Sequence, residues 1–488
     1  MGLFSFFKKP GAGMPPLKLH NTLTGKLDTF EPLSSRTVKM YNCGPTPYDR
    51  QHIGNMVPPI LADTLRHTLE TWGYKVEQVM NITDFGHLTG DNEGDPNEGD
   101  DKMTRGLARE GLKPTMQNMR KLAEKYAGLF FEDITLLGIN TKRVTYPRAS
   151  DYIPEQIALI KTLVQKGYAY EITDGIYYDT ARFKGYGKLG NINLEGQQTG
   201  VRAAEKVEKK NPHDFVLWKK SEKMGWPSPW GKGFPGWHIE CTAMIFKLLG
   251  KQIDIHTGGI EHIPIHHNNE IAQAEAVTGK QFVQYWLHNA HITVEGKKIS
   301  KSLGNTVYLH NIVDRGFNPR AFRYWFLTGH YRTPMNFTWD AIEGADQALK
   351  RLTRAYLEAP SNQGNQGSTL ISRLNLDIEK GFYGALANDL GTAQALALVW
   401  DNIKTLDKPT LQKVDSILGL GFSDPQEAAK LAVVPYMELP AGIQNLLDER
   451  EQARKSKDFA RADELRKEIE SQGFVLKDTS EGPKITRE

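Results

Sequence analysis

The spacing of apolar and polar residues changes along this chain from short strand-like alternation to long helical periods. Residues 38–43 (Val-Lys-Met-Tyr-Asn-Cys) alternate as a strand with one buried face, and Gly44-Pro45-Thr46-Pro47 breaks the run. Ile60, Leu61, Leu65, Leu69 and Trp72 then recur at helical spacing, with Gly73 as the stop signal. Residues 75–82 read as a second strand. Strand, glycine-bearing loop, helix and strand make a βαβ unit, which predicts a parallel sheet. Ligands of such sheets sit at the carboxyl ends of the strands, where the loop carrying Cys43 and His52 falls.

Helical patterns follow at 113–136 and 153–166, and residues 168–172 and 176–179 form a predicted hairpin around Asp174-Gly175. The stretch 181–235, rich in Gly, Lys, Pro and Trp, has no helical period and reads as an insertion between two halves of the sheet domain. The second half, about 236–292, contains a predicted strand at 253–257, ended by Gly258-Gly259, and a helix at 263–277. Beyond residue 340 the helical period dominates, with segments at 341–358, 371–382, 391–406 and 411–417. After Pro440 come two short helices and a closing strand at 474–478. No internal repeat is present.

Length and charge narrow the class. A chain of 488 residues exceeds what one core serves, and roughly three domains is the expectation. The formal charge of +3 neither announces a nucleic-acid partner nor excludes a local basic face. Two distant cysteines give no disulfide framework and fit a reducing, cytoplasmic setting. No apolar run reaches the ~20 residues of a membrane helix, so no membrane partner is expected. Residues 1–16 are apolar first and charged afterwards, the reverse of a secretory signal, and read as a flexible tail, with weak membrane contact as the lesser alternative. Residues 91–101 carry six acids at spacings that miss a calcium loop and read as a solvated segment.

The chemistry concentrates in a few places. Cys43 and Cys241 both lie in polar, glycine-bounded segments, although an isolated cysteine in a reduced protein is usually a small buried hydrophobe. His266 and Glu270 are four apart on a predicted helix, which is also what an ordinary surface pair looks like. Thiolate, imidazole and carboxylate are donors that zinc favours. Their spacing is not that of a zinc finger, so the residues alone leave a metal site and a structural role both open. A soft metal beside a nucleotide site would suit a small substrate bearing sulfur. His52-Ile53-Gly54-Asn55 is either a common turn or a phosphate contact at a helix start. Lys298-Ile299-Ser300-Lys301-Ser302, between Gly296 and Gly304, is either a solvated turn or a mobile loop that closes over polyphosphate. Together, in this order, these two segments are a strong signal.

The chain resembles the cysteinyl-tRNA synthetases, class I aminoacyl-tRNA synthetases, from His20-Asn21-Thr22-Leu23-Thr24 to its end. The carrying segments are Tyr41-Asn42-Cys43-Gly44-Pro45-Thr46-Pro47-Tyr48-Asp49 running into His52-Ile53-Gly54, then Asn81-Ile82-Thr83-Asp84 and Pro235-Gly236-Trp237-His238-Ile239-Glu240-Cys241. Asp254-Ile255-His256 through Glu270, and Lys298–Ser302 with Leu303-Gly304-Asn305, complete them.

That resemblance implies an α/β fold: a Rossmann-type parallel-sheet catalytic domain split by an insertion, then an α-helical bundle and a small C-terminal α+β domain. The expected divisions are a flexible tail (1–16), first catalytic half (17–143), connective insertion (144–235), second catalytic half (236–292), KMSKS loop and stem-contact region (293–345), helical bundle (346–435) and anticodon-binding domain (436–488). It implies zinc ligands at Cys43, Cys241, His266 and Glu270. Gly44, Thr46, Thr83 and Trp237 line the cysteine pocket. His52 and Asn55 of the HIGH motif and Lys298 and Lys301 of the KMSKS motif are catalytic, and Gly54, Glu261, Ile299 and Lys301 contact ATP. Asn55 replaces the last histidine of HIGH, Ile299 replaces methionine, and Glu261 stands where aspartate is usual near the ribose.

The implied activity is ATP-dependent joining of L-cysteine to tRNA(Cys) through a cysteinyl-adenylate, with Zn2+ selecting the thiol, Mg2+ accompanying ATP, and no editing domain. A monomer is expected. The rivals are a cysteine ligase with an amino-sugar acceptor, disfavoured by the tail-like segment 448–487, and a non-catalytic RNA- or zinc-binding paralogue, disfavoured by His52 and both lysines.

Overall fold

A computed structural model describes residues 13–85, 102–192, 208–361, 369–431, 433–434, 436–479 and 482–487. The acidic run 91–101 and most of the tail 1–16 lie outside the described residues. An N-terminal hairpin, β1 (Lys18–Asn21) with β2 (Lys26–Thr29), leads into β3 (Thr37–Asn42). Helix α1 (Val57–Thr71) carries prolines in its first turn, where the missing N–H costs nothing, and β4 (Lys75–Met80) runs parallel to β3. Val38 and Met40 of β3 are fully buried beside Ile60, Leu65 and Leu69 of α1, as the alternation requires. Helices α2 (Lys102–Arg109), α3 (Met116–Leu136) and α4 (Ile153–Gln165) follow.

The segment without helical period is not irregular. It completes an antiparallel sheet of β5 (Ala169–Ile172), β6 (Gly175–Tyr178), β7 (Phe215–Lys220) and β8 (Gly233–Pro235) in that order. The expected hairpin is β5–β6. The strands β7 and β8 escape a pattern search because Phe215-Val216-Leu217-Trp218 and Gly233-Phe234-Pro235 are buried on both faces and do not alternate.

The chain then re-enters the first sheet through α5 (Trp237–Leu248), β9 (Ile253–Gly259), α6 (Asn268–Thr278) and β10 (Val283–Asn289). All neighbours in the order β10-β9-β3-β4 are parallel. The chain builds outward from β3 to β4, then returns on the other side of β3 as β9. The β3–β9 junction is therefore the switch point where an open sheet presents its crevice. Two details differ from the sequence reading. Gly258 and Gly259 belong to β9 rather than ending it, and the helix expected at 263–277 begins as a π-type turn, Ile263–His267, before α6.

A small sheet of β11 (Ile292–Val294), β12 (Lys297–Lys298) and β13 (Met335–Phe337) holds the lysine loop, with α7 (Leu309–Asp314) and α8 (Arg320–Leu327) between its strands. The bundle is α9 (Trp339–Glu358), α10 (Thr369–Ala387), α11 (Thr392–Asp401) and α12 (Lys408–Leu418). A buried ion pair joins it to the catalytic sheet. Asp63 Oδ2 of α1 lies 2.7 Å from Arg323 Nη2, while Arg323 Nε donates to the Leu418 carbonyl at the end of α12. After α13 (Pro425–Leu431), helices α14 (Ala441–Lys455) and α15 (Phe459–Ser471) pack on the hairpin β14 (Phe474–Thr479) with β15 (Gly482–Arg487), the last strand being one the sequence reading missed.

Candidate active site and metal centre

The carboxyl end of β3 delivers Cys43, whose N–H donates to the Thr257 carbonyl of β9 at 3.1 Å and so continues the ladder. Gly44 follows because the chain runs against the end of β4: a Cβ there would lie 1.7 Å from the Asn81 carbonyl oxygen. Cys241 comes from the second turn of α5, His266 from the π-type turn, and Glu270 from the first turn of α6. The π-type turn changes the helix winding just where His266 must face Cys241, a distortion common at functional positions.

Donor atoms of Cys43, Cys241, His266 and Glu270 all lie within 4.8 Å of one another. Metal bonds of zinc length place neighbouring tetrahedral ligands about 3.4–3.8 Å apart, so small adjustments would close the set around one ion. Cys43, His256, His267 and Glu270 form an overlapping group of the same tightness. The two are distinguished by their hydrogen bonds. His256 Nε2 is 3.0 Å from Glu270 Oε2. Glu270 Oε1, fully buried, has no hydrogen-bond partner although His266 Nε2 lies 2.9 Å away. An orphaned carboxylate oxygen and an imidazole nitrogen facing two thiols suit a soft divalent cation. His266 Nδ1 meets His238 Nδ1 at 2.9 Å, the kind of outer contact that fixes a ligand's tautomer.

Without a cation, Cys241 and Glu270 are held in their ionised, ligating forms, whereas Cys43 and His266 keep a proton that ligation would release. Burial pushes the Cys43 thiol well up, while the Cys241 thiol, hydrogen-bonded to Cys43, is held down at about 6. Burial opposes ionisation of Glu270, yet the charges of His256 and His266 hold its carboxyl at about 2. His266, penalised by burial, is nonetheless raised to about 10 by Glu270 and Cys241.

Two of the residues expected to line the cysteine pocket lie beside this cluster. Trp237, the first residue of α5, stacks on His266 with ring centroids 4.3 Å apart. Thr83 is buried and donates to Glu240 Oε2 at 3.0 Å, and burial pushes that carboxyl well up, which favours its neutral form. The Thr46 carbonyl accepts from Tyr48 N at 3.0 Å and so shapes the loop leading to His52.

His52 caps the turn Ile53–Met56, its Nδ1 accepting from Gly54 N at 3.1 Å. Burial lowers its pKa to about 4. The imidazole is therefore neutral at pH 7, with Nδ1 as acceptor and Nε2–H left to donate. A Cβ on Gly54 would sit 2.9 Å from the His52 ring and 3.2 Å from Ile299 Cδ1, so the glycine lets the lysine loop rest on the histidine turn. Asn55 is exposed at this turn.

Asn305 staples the lysine loop, accepting from Ser300 N at 2.9 Å and donating to the Lys298 carbonyl at 3.0 Å. Ser300 and Ser302 hydrogen-bond each other at 2.8 Å, so these hydroxyls do not point separately outward. Lys298 is exposed, while Lys301 pairs with Asp49. Glu261 stands exposed beyond β9, with His291 Nδ1 3.6 Å from its carboxylate.

Sequence reasoning gave no role to Asp49, Asn305, His238, His256, His267 or His288. The last two form a chain: His267 Nε2 lies 3.3 Å from Cys43 Sγ, and His267 Nδ1 lies 2.8 Å from His288 Nε2. The crowding of histidines between 256 and 291 was the available signal.

The model for the catalytic domain of class I (C) tRNA synthetases matches residues 29–347, and that for the anticodon-binding domain of cysteinyl-tRNA ligase matches 437–483. A cysteine–tRNA ligase of Burkholderia lata is 40% identical over 481 residues, covering 96% of this chain and 97% of that protein. One of Geobacillus thermodenitrificans is 39% identical over 487 residues, covering 97% and 100%. Among solved structures, a methionyl-tRNA synthetase of Mycobacterium tuberculosis in complex with methionyl-adenylate shares the fold. Its TM-score is 0.55 at 12% identity, over 81% of this chain and 93% of that one.

Proposed function

The chain belongs to the class I cysteinyl-tRNA synthetases, enzymes that ligate cysteine to tRNA, and on that premise we propose how its own residues divide the work. Cys43, Cys241, His266 and Glu270 hold zinc. Bound there, the ion would supply a soft Lewis acid that attracts the substrate sulfhydryl, a contact the alcohol of serine reproduces poorly. Trp237 and Thr83 enclose the amino acid, and Gly44 and Thr46 shape the loop beneath it.

The cysteine carboxylate is ionised at neutral pH and needs no general base. It attacks the α-phosphorus of ATP, carried as its magnesium complex. A carboxylate oxygen–phosphorus bond forms, giving a mixed anhydride, the α–β phosphoanhydride bond breaks, and pyrophosphate leaves. His52 donates from Nε2 to a phosphate oxygen, Lys298 and Lys301 offset the growing negative charge, and Gly54 and Ile299 frame the nucleotide. Asn55 adds an uncharged donor, and Glu261 reaches towards the ribose. In the second step the terminal ribose 2′-hydroxyl of tRNA(Cys) attacks the mixed anhydride and AMP leaves. The match of residues 437–483 to an anticodon-binding domain supports tRNA over an amino-sugar as acceptor. Among the described residues no helix is long and apolar enough to cross a membrane.

The observation that carries the zinc assignment is the orphaned Glu270 Oε1 inside a group of thiol and imidazole donors. Cysteine-dependent pyrophosphate exchange by folded, zinc-loaded protein tests the reading. Exchange with cysteine but not serine is expected. Comparable exchange with serine overturns the selectivity argument, and none with either overturns the chemistry.

A further inference from the structure

Asp49 belongs to neither motif, yet it touches the lysine loop. Its Oδ2 receives the Lys301 ammonium and, at 2.9 Å, Arg109 Nη1 from the end of α2. Its Oδ1 accepts from Arg50 N at 2.8 Å. Arg109 is anchored independently, donating to the Tyr48 carbonyl at 2.8 Å and to Tyr126 Oη at 3.2 Å. Lys301 lies 5.7 Å from the Tyr48 ring centroid. The carboxylate is 17% exposed and the lysine 51%, so the lysine is the partner free to move. Gly296 and Gly304, both at positive φ, bracket its loop.

We propose that Asp49 is a positioning residue that parks Lys301 at the mouth of the nucleotide site and yields it to the incoming polyphosphate. The inference rests on the reading of Lys301 as an ATP contact. Arg109 makes the exchange feasible. When Lys301 leaves, Asp49 keeps one guanidinium and one backbone N–H, so no carboxylate is stranded. A lysine already paired must break that pair to reach phosphate, so Asp49 lowers apparent ATP affinity and Arg109 partly restores it.

The two partners therefore have opposite signs. Asp49→Asn keeps the shape but loses the charge, and the KM for ATP in cysteine-dependent exchange should fall about 2–5-fold, the worth of a half-exposed ion pair. Arg109→Met removes the backstop, tightens the Lys301 pair, and should raise that KM by a similar factor. In each case kcat should change less than KM, and Asp49→Glu should restore the wild-type KM. In a Lys301→Ala background neither substitution should move KM. If both move KM in the same direction, or Asp49→Asn lowers kcat more than KM, the parking role is overturned. If Lys301→Ala exchanges at the wild-type rate, the reading of Lys301 itself fails, a separate result.

Discussion

The cluster of thiols and imidazoles at the parallel sheet and the lysine loop of the small three-stranded sheet are built in opposite ways. Glu270 is 0% exposed, and every donor around it comes from a strand end or a helix turn held by the core. Lys301 is 51% exposed, on a loop tied down by Asn305 and one ion pair. A site that must tell sulfur from oxygen needs fixed donors in a dry setting, because small displacements erase the difference. A site that must admit ATP and release pyrophosphate needs charge that arrives and departs. Disturbing the first should change what is chosen, and disturbing the second how fast it is transferred.

The strongest break of that contrast is Cys241→Ala. Bound zinc should be lost and cysteine-dependent exchange should fall at least about 10³-fold, while the KM for ATP, where still measurable, stays near its wild-type value. Elemental analysis with exchange kinetics checks both. A full complement of zinc in a folded, inactive variant would contradict the assigned ligands. Next in size, Lys301→Ala should lower kcat about 10²–10³-fold, as loss of one donor to transition-state charge does. Its zinc content and KM for cysteine should stay at wild-type values. A variant that loses zinc would mean the two regions are one unit.

The same contrast governs what the sequence reveals. The parallel sheet split by an insertion was legible because β3 and α1 alternate with clear periods and glycines mark their ends. Cys43, Cys241, His266 and Glu270 could be named through family resemblance, but their meeting depends on the β3–β9 pairing, which joins residues over 200 positions apart. Strands β7 and β8 of the insertion sheet were missed because strands buried on both faces show no alternation. The π-type turn has no periodic signature, since only the fold makes His266 turn towards Cys241. Asp49 stands beside a known motif in the chain, but its partners lie on α2 and on the lysine loop, and local sequence cannot pair them.

Sharpening the comparison within the rigid pocket calls for a residue that touches no metal. His256 holds Glu270 Oε2 at 3.0 Å and leaves Oε1 turned towards His266. Its ring is buried and stacks on Trp286. Replacing it by Phe keeps the stacking and removes the hydrogen bond. Zinc affinity should fall about 10–100-fold, as when an outer partner of a ligand is lost. A chelator competition assay reads this directly. If affinity is unchanged while Glu270→Gln lowers it, Glu270 is oriented by some other contact.

The smallest effect belongs to the turn where the two regions meet. His52 has a folded pKa of about 4, below the ordinary 6.5, because burial disfavours its charged form. Between those values the unfolded chain binds a proton that the folded chain refuses. Stability from this group is therefore complete above about pH 6.5 and declines as pH falls towards 4, by at most about 1.4 kcal/mol per pH unit. His52→Asn keeps a side-chain acceptor for Gly54 N but cannot titrate. The gap in Tm between wild type and variant should therefore narrow as pH is lowered from 7 to 5, followed by calorimetry on metal-loaded protein. The other buried histidines are common to both proteins and cancel in the difference. A gap that widens in acid would mean that His52 is charged in the fold, in which case Gly54 N would have lost its acceptor and the lysine loop its footing.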